Sequence, residues 1–447
     1  MREKFVFLIC LIFILPHCTK KNPKESFTTV SEQSKKRCNT EPMWKEQSNK
    51  KEVTSLINKG ISIHDAITIG ISNNLPLQAK FEEIGVKKSD LIQAGFYTNP
   101  NVDCVFRIPK KKDLQTNIEL TANFMLSDLW QVPLRKKVAQ YDLEVKTYEI
   151  VNEILHLRHN IQKNYITCLY HQKRLHLTKE ITNLINSYKK RIDYRYKFGY
   201  TSDLDKYLAE SKLGEWEVNI IDTQKDLQQS YVALREILGG EISIESVALS
   251  DMLKTFPDIT PLKQLEYFAL TSHPTILIEK SKIARANKTI SYEKSQIIDN
   301  IQLGVSYKRD FEKNVSGVGP SVALDIPLFD TNYGNIERAK FLYEQAKKAL
   351  VAQKQIILKN VATNYIQYES YLKQIKHYET FVIPPIIKAI AYGKKFFNRM
   401  QMTKMVFLET QIDLYKHRLE LLELQYKTAS AYADLEFSLG SQLNIIS

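Results

Sequence analysis

Few side chains in this sequence stand at spacings that catalysis or metal binding needs. His156 and His159 are three residues apart in a helical stretch and could share a face toward a metal, but no carboxylate or third histidine is placed with them. Asp193, Asp203 and Asp205 do not form a pair of catalytic carboxylates. The sequence has no Gly-rich phosphate loop, no nucleophile elbow and no Cys/His zinc spacing. We therefore predict no enzyme activity and no cofactor or metal, with the two histidines as satisfied surface groups.

The sulfur-bearing side chains form no redox or metal pattern either. Three cysteines remain beyond the N-terminal region, at unrelated spacings: Cys38, Cys104 and Cys168. An odd number does not make a disulfide framework, so these are predicted to be plain buried or lipid-facing thiols. Three methionines cluster further on: Met400, Met402 and Met405. Their soft sulfurs could pass a monovalent copper-like ion, but packing is the favoured interpretation.

Four short stretches alternate apolar and polar side chains with a period of two residues. They span about 101–108, 117–126, 301–308 and 318–326. Successive side chains of a strand point to opposite faces, so each stretch predicts a strand with one apolar and one polar face. The polar breaks at 109–116 and 310–317 predict the connections of two antiparallel pairs.

These predicted strands have the length of membrane strands. Each has roughly 8–10 residues, close to the ~9–11 that a tilted strand needs to cross a bilayer. Four strands cannot close a barrel, and an open sheet edge is not tolerated in lipid. If the strands enter a membrane, several copies of the chain must complete one barrel, with the polar side toward water and the apolar side toward lipid.

The N-terminus has the features of an export signal. Arg2 and Lys4 precede an apolar core, Phe5 to Leu15, that is too short for a membrane helix. Cys18 closes this region and is a candidate for lipidation, with an ordinary cleaved signal as the alternative. We assign residues 1–17 to a signal peptide and residues 18–60, which are polar and rich in Lys, Ser and Glu, to an N-terminal tether with little expected helix.

The overall composition fits a folded protein built from long elements. It is 43% hydrophobic and 25% charged, with only 14 Gly and 14 Pro. The net charge is +13, but Lys and Arg are scattered along helices among Glu and Asp, with no aromatic-studded basic cluster. We predict solvated helix faces and no nucleic-acid partner.

Most of the remaining chain is predicted to be helical and duplicated. A long helix is expected from Arg135 to Lys197, on the order of 90 Å at 1.5 Å per residue, and a returning helix from about Thr201 to Leu238. The same order recurs roughly 200 residues later. Three pairs of segments show it: Leu75-Pro76 and His273-Pro274, Val132-Pro133-Leu134 and Ile326-Pro327-Leu328, Leu238-Gly239 and Leu439-Gly440.

This duplication sets the predicted domain limits. Repeat 1 covers residues 61–240, a linker covers 241–261, repeat 2 covers 262–440 and a C-terminal tail covers 441–447. Pro384-Pro385 lies inside a helical run of repeat 2, where it predicts a kink that could be a hinge or simple curvature.

The order of elements resembles the TolC-like outer-membrane factor family over roughly residues 60–440. Three segments are similar to ones that recur in that family: Ser62-Ile63-His64-Asp65-Ala66-Ile67, Ala94-Gly95-Phe96-Tyr97-Thr98-Asn99-Pro100-Asn101 and Asp325-Ile326-Pro327-Leu328-Phe329-Asp330. The resemblance implies a mostly α fold with membrane β structure. It would be an internally duplicated long-helix α-barrel with four β-strands per chain, and a homotrimer would complete a twelve-stranded β-barrel.

The resemblance also implies a function and partners. The trimer would be a passive export duct in the outer membrane of a diderm bacterium, with a long periplasmic extension and no active site. Outer-membrane lipid would surround the strands, and a periplasmic adaptor protein and an inner-membrane pump would complete a tripartite system. The adaptor would contact two helix-pair tips: Phe198, Gly199, Tyr200 and Thr201 in repeat 1, and Met400, Gln401, Met402 and Thr403 in repeat 2. Gln401 stands where the family has Gly.

Groups beside these tips are implied to form the gate of the duct. The acids are Asp205 and Glu409, the basic groups are Arg195 and Arg399, and the hydroxyl groups are those of Tyr188 and Tyr392. Ordinary surface charge is the alternative for the two acids, because exposed ion pairs are common and weak.

A second class of function stays open from the sequence. A lipid-anchored, non-conducting periplasmic coiled-coil scaffold would explain the long helices and Cys18, but not four two-faced strands. The cargo of a duct is not specified, because ducts for drugs, metals and proteins are closely similar.

Overall fold

Most of the chain folds into long helices around one small sheet. The computed structural model describes residues 27–44, 50–110, 115–241, 247, 249–251, 256–398 and 404–443. The helices are α1 (Phe27–Cys38), α2 (Lys50–Lys59), α3 (Ile63–Asn73), α4 (Leu75–Ala94), α5 (Asp128–Lys197), α6 (Asp203–Ile237), α7 (Leu262–Ser272), α8 (Pro274–Ser295), α9 (Tyr333–His377), α10 (Ile383–Asn398) and α11 (Lys404–Leu439). The strands are β1 (Asn101–Arg107), β2 (Asn117–Met125), β3 (Ile301–Asp310) and β4 (Val315–Leu324).

Two copies of one plan account for this order. Two short helices, two strands, a long helix and a returning helix occur first in α3–α6 and again in α7–α11. The long helix packs on the returning helix in each copy, and α5 also packs on α8 and α11 of the second copy. Among the described helices, none combines the length and the apolar character that crossing a bilayer requires. The predicted mostly helical fold with four strands per chain is confirmed.

The four strands form one antiparallel sheet in the order β1-β2-β3-β4. Directly opposed residues of an antiparallel pair share a face, and the register places polar beside polar. One row across the sheet is Asn101, Asn123, Gly304 and Ser321, whereas the neighbouring row is Val102, Ala122, Val305 and Pro320. The sheet therefore has one polar and one apolar face. β3 and β4 are joined by residues 311–314, a shorter connection than the predicted 310–317.

Gly304 allows side chains of β2 and β4 to meet across β3. A Cβ at this position would lie 2.2 Å from Asn123 Oδ1 and 2.6 Å from Ser321 Oγ. The Ser321 hydroxyl donates a hydrogen bond to Asn123 Oδ1 at 3.1 Å. A glycine inside a strand is expected where another group approaches the backbone closely, and this is such a place.

The start of α5 corrects the sequence-based boundary. The helix begins at Asp128 and not at Arg135, so Pro133 lies inside it. The Asp128 carboxylate accepts a hydrogen bond from the Thr98 N–H, and the Ser127 hydroxyl donates to the Asp299 carbonyl at 2.6 Å. These contacts with chain outside the helix hold its first turns in spite of the proline. The helix has 70 residues, which corresponds to about 105 Å.

The N-terminal segment also differs from the expected tether. Its described parts form α1 and α2, and Val30 and Ile57 are fully buried in the main core. The Arg37 guanidinium donates to the Gly440 carbonyl at 3.3 Å, and the Gln442 N–H donates to the Arg37 carbonyl at 3.1 Å. Residues 27–44, which we call the strap, therefore connect the start of the chain to the end of repeat 2. Burial against the core stabilises α1, and the polar composition of the segment gave no indication of this burial.

The returning helices end at equivalent glycines. Gly239 has φ 74° and Gly440 has φ 68°, a conformation that other residues rarely adopt. A Cβ at Gly239 would lie 2.6 Å from the Asn73 carbonyl oxygen, and one at Gly440 would lie 2.8 Å from Pro274 Cδ. Both glycines let the end of a returning helix pack on the junction of the two short helices.

A π-helical turn, Tyr378–Val382, separates α9 from α10. The Ile383 N–H bonds to the Tyr378 carbonyl, five residues back. Pro384 and Pro385 follow at once, and neither has an N–H to continue the ordinary helical pattern. The helix kink that the sequence predicts at the two prolines therefore corresponds to this π turn, which lies just before them.

Candidate functional site: the helix tip and the polar sheet face

The tip of repeat 1 is a tight Schellman turn. Gly199 has φ 73°, its N–H donates to the Tyr196 carbonyl at 3.0 Å, and the Tyr200 N–H donates to the Arg195 carbonyl at 2.9 Å. The Arg195 guanidinium returns a bond to the Tyr200 carbonyl at 3.3 Å. Phe198 and Tyr200 are 58% and 71% exposed. The turn thus fixes a small apolar surface at the end of the helix pair.

The tip of repeat 2 lies outside the described residues, as does Cys18. Of the predicted groups this applies to Arg399, Met400, Gln401, Met402 and Thr403. Their predicted roles stay predictions.

Ser202 caps the helix that leaves the tip, and Asp205 holds this cap from the first turn. Ser202 precedes α6, and its Oγ accepts the Asp205 N–H at 3.2 Å. The Asp205 carboxylate accepts hydrogen bonds from the hydroxyls of Ser202 at 2.9 Å and Thr201 at 3.1 Å. These bonds to the charged form, that of Ser202 first, lower the pKa of Asp205. The acid therefore has a local structural role, whatever it does in a gate.

Tyr188 on α5 is where the predicted gate groups come together. Burial raises the pKa of its phenol, the nearby charges of Asp205 and Glu409 raise it further, and Arg195 opposes them. Four of the six predicted residues thus share one electrostatic environment. Among the described side chains of the single chain, no ion pair joins Arg195 to either acid. Tyr392 is 62% exposed on α10.

A cavity of about 210 Å³ lies beside Tyr188, between α5 and α11. Its wall includes Arg191 and Gln411, which sequence reasoning missed. Arg191 is three residues after Tyr188 on the same helix, and this spacing was a usable signal. A buried apolar cluster joins α5, α6 and α11 at this level and positions the groups: Ile181, Ile185, Trp216, Leu408 and Ile412.

The histidine pair is engaged in packing and in a hydrogen bond. His159 Nε2 lies 2.7 Å from Asp434 Oδ1, and the Phe437 ring lies 4.3 Å from the His156 ring and 4.8 Å from the His159 ring. Within the part of the chain that the structure describes, no group of three or more His, Cys, Asp or Glu is placed to hold a metal ion.

The polar sheet face carries a connected set of hydrophilic groups. Arg107 pairs with Glu119 at 3.1 Å, and the Thr121 hydroxyl donates to Ser306 Oγ at 3.1 Å. On the apolar face Val102, Val318 and Val322 are 67%, 73% and 66% exposed in the single chain. A sheet that exposes this much apolar surface needs a nonpolar neighbour.

The second half of the chain matches a known family. Residues 267–441 match the family model described as Outer membrane efflux protein. This segment is similar to the outer membrane efflux proteins. The resemblance to outer-membrane factors inferred from the sequence is therefore confirmed.

Relatives and solved structures extend the similarity over most of the chain. The cobalt-zinc-cadmium resistance protein CzcC of Cupriavidus metallidurans is 19% identical over 385 residues, which cover 85% of this chain and 90% of CzcC. The Vibrio cholerae outer membrane protein VceC superposes with a TM-score of 0.69 at 14% identity, over 85% of this chain and 96% of VceC. The open state of the Neisseria gonorrhoeae MtrE outer membrane channel gives a TM-score of 0.69 at 16% identity, over 85% and 89%. At these identities the superpositions establish the fold.

Proposed function

We propose that the protein is a passive export duct of the outer membrane, the exit part of a tripartite efflux or secretion system. Three copies close one twelve-stranded β-barrel, and their long helices form a tube through the periplasm. The duct carries out no reaction, because its task is to provide a continuous polar path.

The single observation that carries this proposal is the two-faced sheet with open edges. β1 and β4 are both edge strands in the chain, and one face is mainly apolar, with Arg309 and Ser316 at its end, while the other is hydrogen bonded and polar. Unpaired strand edges are very costly in lipid, so β4 of one copy would pair with β1 of the next. Closure around the polar face makes a water-filled lumen and leaves the apolar face for lipid.

The test is the mass of the full-length protein extracted from membranes in mild detergent, corrected for bound detergent. We expect three chains of 51.9 kDa each, less any cleaved signal, from the outer-membrane fraction, and single-channel conductance in a planar bilayer. A monomer or dimer that salt or lipase alone releases would contradict the duct. It would favour the non-conducting scaffold anchored through Cys18.

The mouth of the duct would lie at the helix tips. Phe198, Gly199, Tyr200 and Thr201 form the contact for a periplasmic adaptor in repeat 1, and residues 400–403 supply it in repeat 2. The groups around Tyr188, with Asp205, Glu409 and Arg195, would narrow the mouth when three copies bring them together. An inner-membrane pump supplies the energy.

The cargo is open to a direct test. CzcC is named for resistance to cobalt, zinc and cadmium, which makes these divalent ions the first substrates to examine. Loss of tolerance to one of them on deletion of the gene, restored by the wild-type copy, would assign a metal cargo. Unchanged metal tolerance with increased sensitivity to hydrophobic drugs would assign the duct to drug efflux.

A further inference from the structure

The apolar face of the sheet carries one charged side chain, at the end away from the helices. Directly opposed residues share a face, and the last row on this face is Phe106, Ile118, Arg309 and Ser316. The row before it is Cys104, Leu120, Tyr307 and Val318. A cation on a face that otherwise suits lipid is costly near the centre of a bilayer and has to be accounted for.

Arg309 would lie at the level of the lipid headgroups in the proposed duct. It is about 27 Å beyond Ile301 along β3 at 3.4 Å per residue, or about 20 Å along the membrane normal for a strand tilted by about 40°. The apolar band of such barrels is about 25 Å tall, so the long side chain can extend to the headgroups. The turn of residues 311–314 follows, and the helices begin at the opposite end of the strands. These headgroups therefore belong to the outer leaflet.

The turn orients the Arg309 guanidinium. Its Nη2 donates to Asn314 Oδ1 at 2.5 Å, and its Cζ lies 5.4 Å from the centre of the Phe311 ring. The side chain is half-buried, whereas Asn314 and Phe311 are exposed. The planar group is thus held at the edge of the apolar face, with its remaining N–H groups available to a partner.

The charge of Arg309 is not neutralised on this face. Asp310 belongs to the polar face, because it follows Arg309 in the strand and is paired with Val315. Glu312 and Lys313 are exposed in the turn and carry opposite charges. Within the part of the chain that the structure describes, no ion pair includes Arg309. An anionic group from outside the chain is the complementary partner.

Two neighbouring side chains add hydrogen-bond donors to this charge. Ser316 is the cross-strand partner of Arg309, which places their Cβ atoms about 5 Å apart. Among the described groups the Ser316 hydroxyl makes no hydrogen bond. The Asn314 carboxamide that accepts from Arg309 also carries two N–H donors. A guanidinium, a hydroxyl and an amide together suit the three oxygens of a phosphate monoester better than the two of a carboxylate.

We propose that Arg309, Ser316 and Asn314 bind the phosphate monoester headgroup of a lipid in the outer leaflet. The acyl chains lie along the apolar row that includes Tyr307 and Val318. The inference rests on the proposed function, because only a sheet in the bilayer brings this face against lipid. Each chain supplies one site, and the bound lipid stabilises the hairpin of β3 and β4 at the outer rim of the barrel.

The experiment is native mass spectrometry of the purified full-length protein in a nonionic detergent, titrated with phosphatidic acid or with the diacylglycerol of the same acyl chains. The two lipids differ only in the phosphate, so the comparison on the wild type needs no variant. We expect one phosphatidic acid to bind per chain, at least tenfold more tightly than diacylglycerol, and to raise the Tm. Inorganic phosphate at the same concentration should not raise the Tm, because it lacks the acyl chains.

Two substitutions with the same change of charge test the residues. Arg309→Gln and Lys308→Gln each remove one positive charge from adjacent positions of β3, on the apolar and the polar face. Arg309→Gln should weaken phosphatidic acid binding about tenfold, and Ser316→Ala should weaken it by a smaller factor, while Lys308→Gln binds like the wild type. Equal weakening in Arg309→Gln and Lys308→Gln would show unspecific attraction to charge and overturn the proposal.

The mass of the protein in the same spectra separates this inference from the proposed function. Three chains that bind phosphatidic acid and diacylglycerol equally would overturn the lipid site and leave the duct in place. A rise in Tm with inorganic phosphate alone, equal to that with phosphatidic acid, would overturn the lipid as the source of the phosphate. A monomer that stays in solution without detergent would contradict the membrane sheet, and the lipid site with it.

Discussion

Glycine at the ends of the returning helices is required by both conformation and contact. We predict that Gly239→Ala lowers the Tm, because the left-handed conformation costs a side chain about 1–2 kcal/mol and the new Cβ would also meet the Asn73 carbonyl at 2.6 Å. Gly199→Ala is the matched control, since its φ is 73° but no atom lies within 4 Å of the added Cβ. Thermal unfolding should show the larger loss for Gly239→Ala. Equal losses would mean that the contact is relieved by small shifts.

Asp205 offers a way to separate capping from gating. The hydroxyls of Ser202 and Thr201 need an oxygen that accepts their hydrogen bonds, whereas an electrostatic gate needs the charge. If these hydrogen bonds dominate, Asp205→Ala lowers the free energy of unfolding by about 1 kcal/mol, the usual net contribution of a hydrogen bond, while Asp205→Asn stays near the wild type in stability and in conductance. If the charge narrows the mouth, both substitutions raise single-channel conductance to a similar extent. Bilayer recordings of the two variants decide between these outcomes.

The buried imidazole of His273 should make the stability of the fold depend on pH. Burial lowers the pKa of its imidazole to about 4, and the positive charge of Arg37 acts in the same direction. Because the unfolded chain takes up this proton near pH 6.5 and the folded chain only near 4, stability is lost as the pH falls between these values, by up to about 1.4 kcal/mol per unit. His273→Asn keeps an N-cap acceptor for α8 and removes the titration. The drop in Tm from pH 7.5 to pH 5 should be smaller in this variant, and an equal drop would contradict the assignment.

At the scale of the elements, the strand register makes a sharp prediction about faces. Leu120→Glu and Leu303→Glu place a charge on the apolar face and should reduce the amount of trimer in the outer-membrane fraction severalfold, because such charges are costly near the bilayer centre. Gln302→Glu is the matched control on the polar face, next to Leu303 in the same strand. Asn123 also lies on the polar face but is a poorer control, because its side chain accepts a hydrogen bond from Ser321 across Gly304. Equal assembly of all three variants would contradict the assignment of faces.

The elements that sequence predicted well are those whose pattern is local. Period-two alternation located all four strands to within a few residues, and the duplication located the helix pairs. The features that the sequence did not predict, the start of α5 and the burial of α1, depend on partners distant in the chain. Asp128 and Ser127 start α5 through Thr98 and Asp299, and Val30 makes α1 part of the core, although neither segment carries a strong pattern of its own.

The turn at the end of α5 was predictable in a similar, partial way, while its role in a mouth stays a prediction. Gly199 marked the tip because a positive φ needs a glycine, and Asp205 was found by its place after the tip. The grouping around Tyr188 of Arg191, from one long helix, and Gln411, from another, could not be seen in a single sequence. The buried ion pair of Arg158 and Glu436 was hidden for the same reason, because the two residues are 278 positions apart in the chain.

At the scale of the whole molecule, the strap makes the two ends of the chain depend on each other. Val30 is fully buried, and Arg37 holds the Gly440 carbonyl. We predict that Val30→Asp lowers the Tm by several degrees and speeds proteolysis near the C-terminus, because an unpaired charge would be buried in the strap contact. Glu32 lies two residues further along the same helix and is exposed, so Glu32→Ala should change neither the Tm nor the rate of proteolysis. Wild-type protease resistance in Val30→Asp would show that the strap is dispensable.

In the proposed duct, the two helix pairs that each chain contributes would differ in stiffness. α5 is a single helix of 70 residues, while the corresponding helix of repeat 2 is divided into α9 and α10 by the π turn at Tyr378–Val382, which two prolines follow. A sideways force at the helix tips would bend a helix where its hydrogen bonding is irregular, which is the π turn. We therefore expect the displacement to concentrate in α10 and the start of α11. The pair α5–α6 would then stay in place. The opening would widen because the tip of repeat 2 moves outward, and not because both helix pairs move equally.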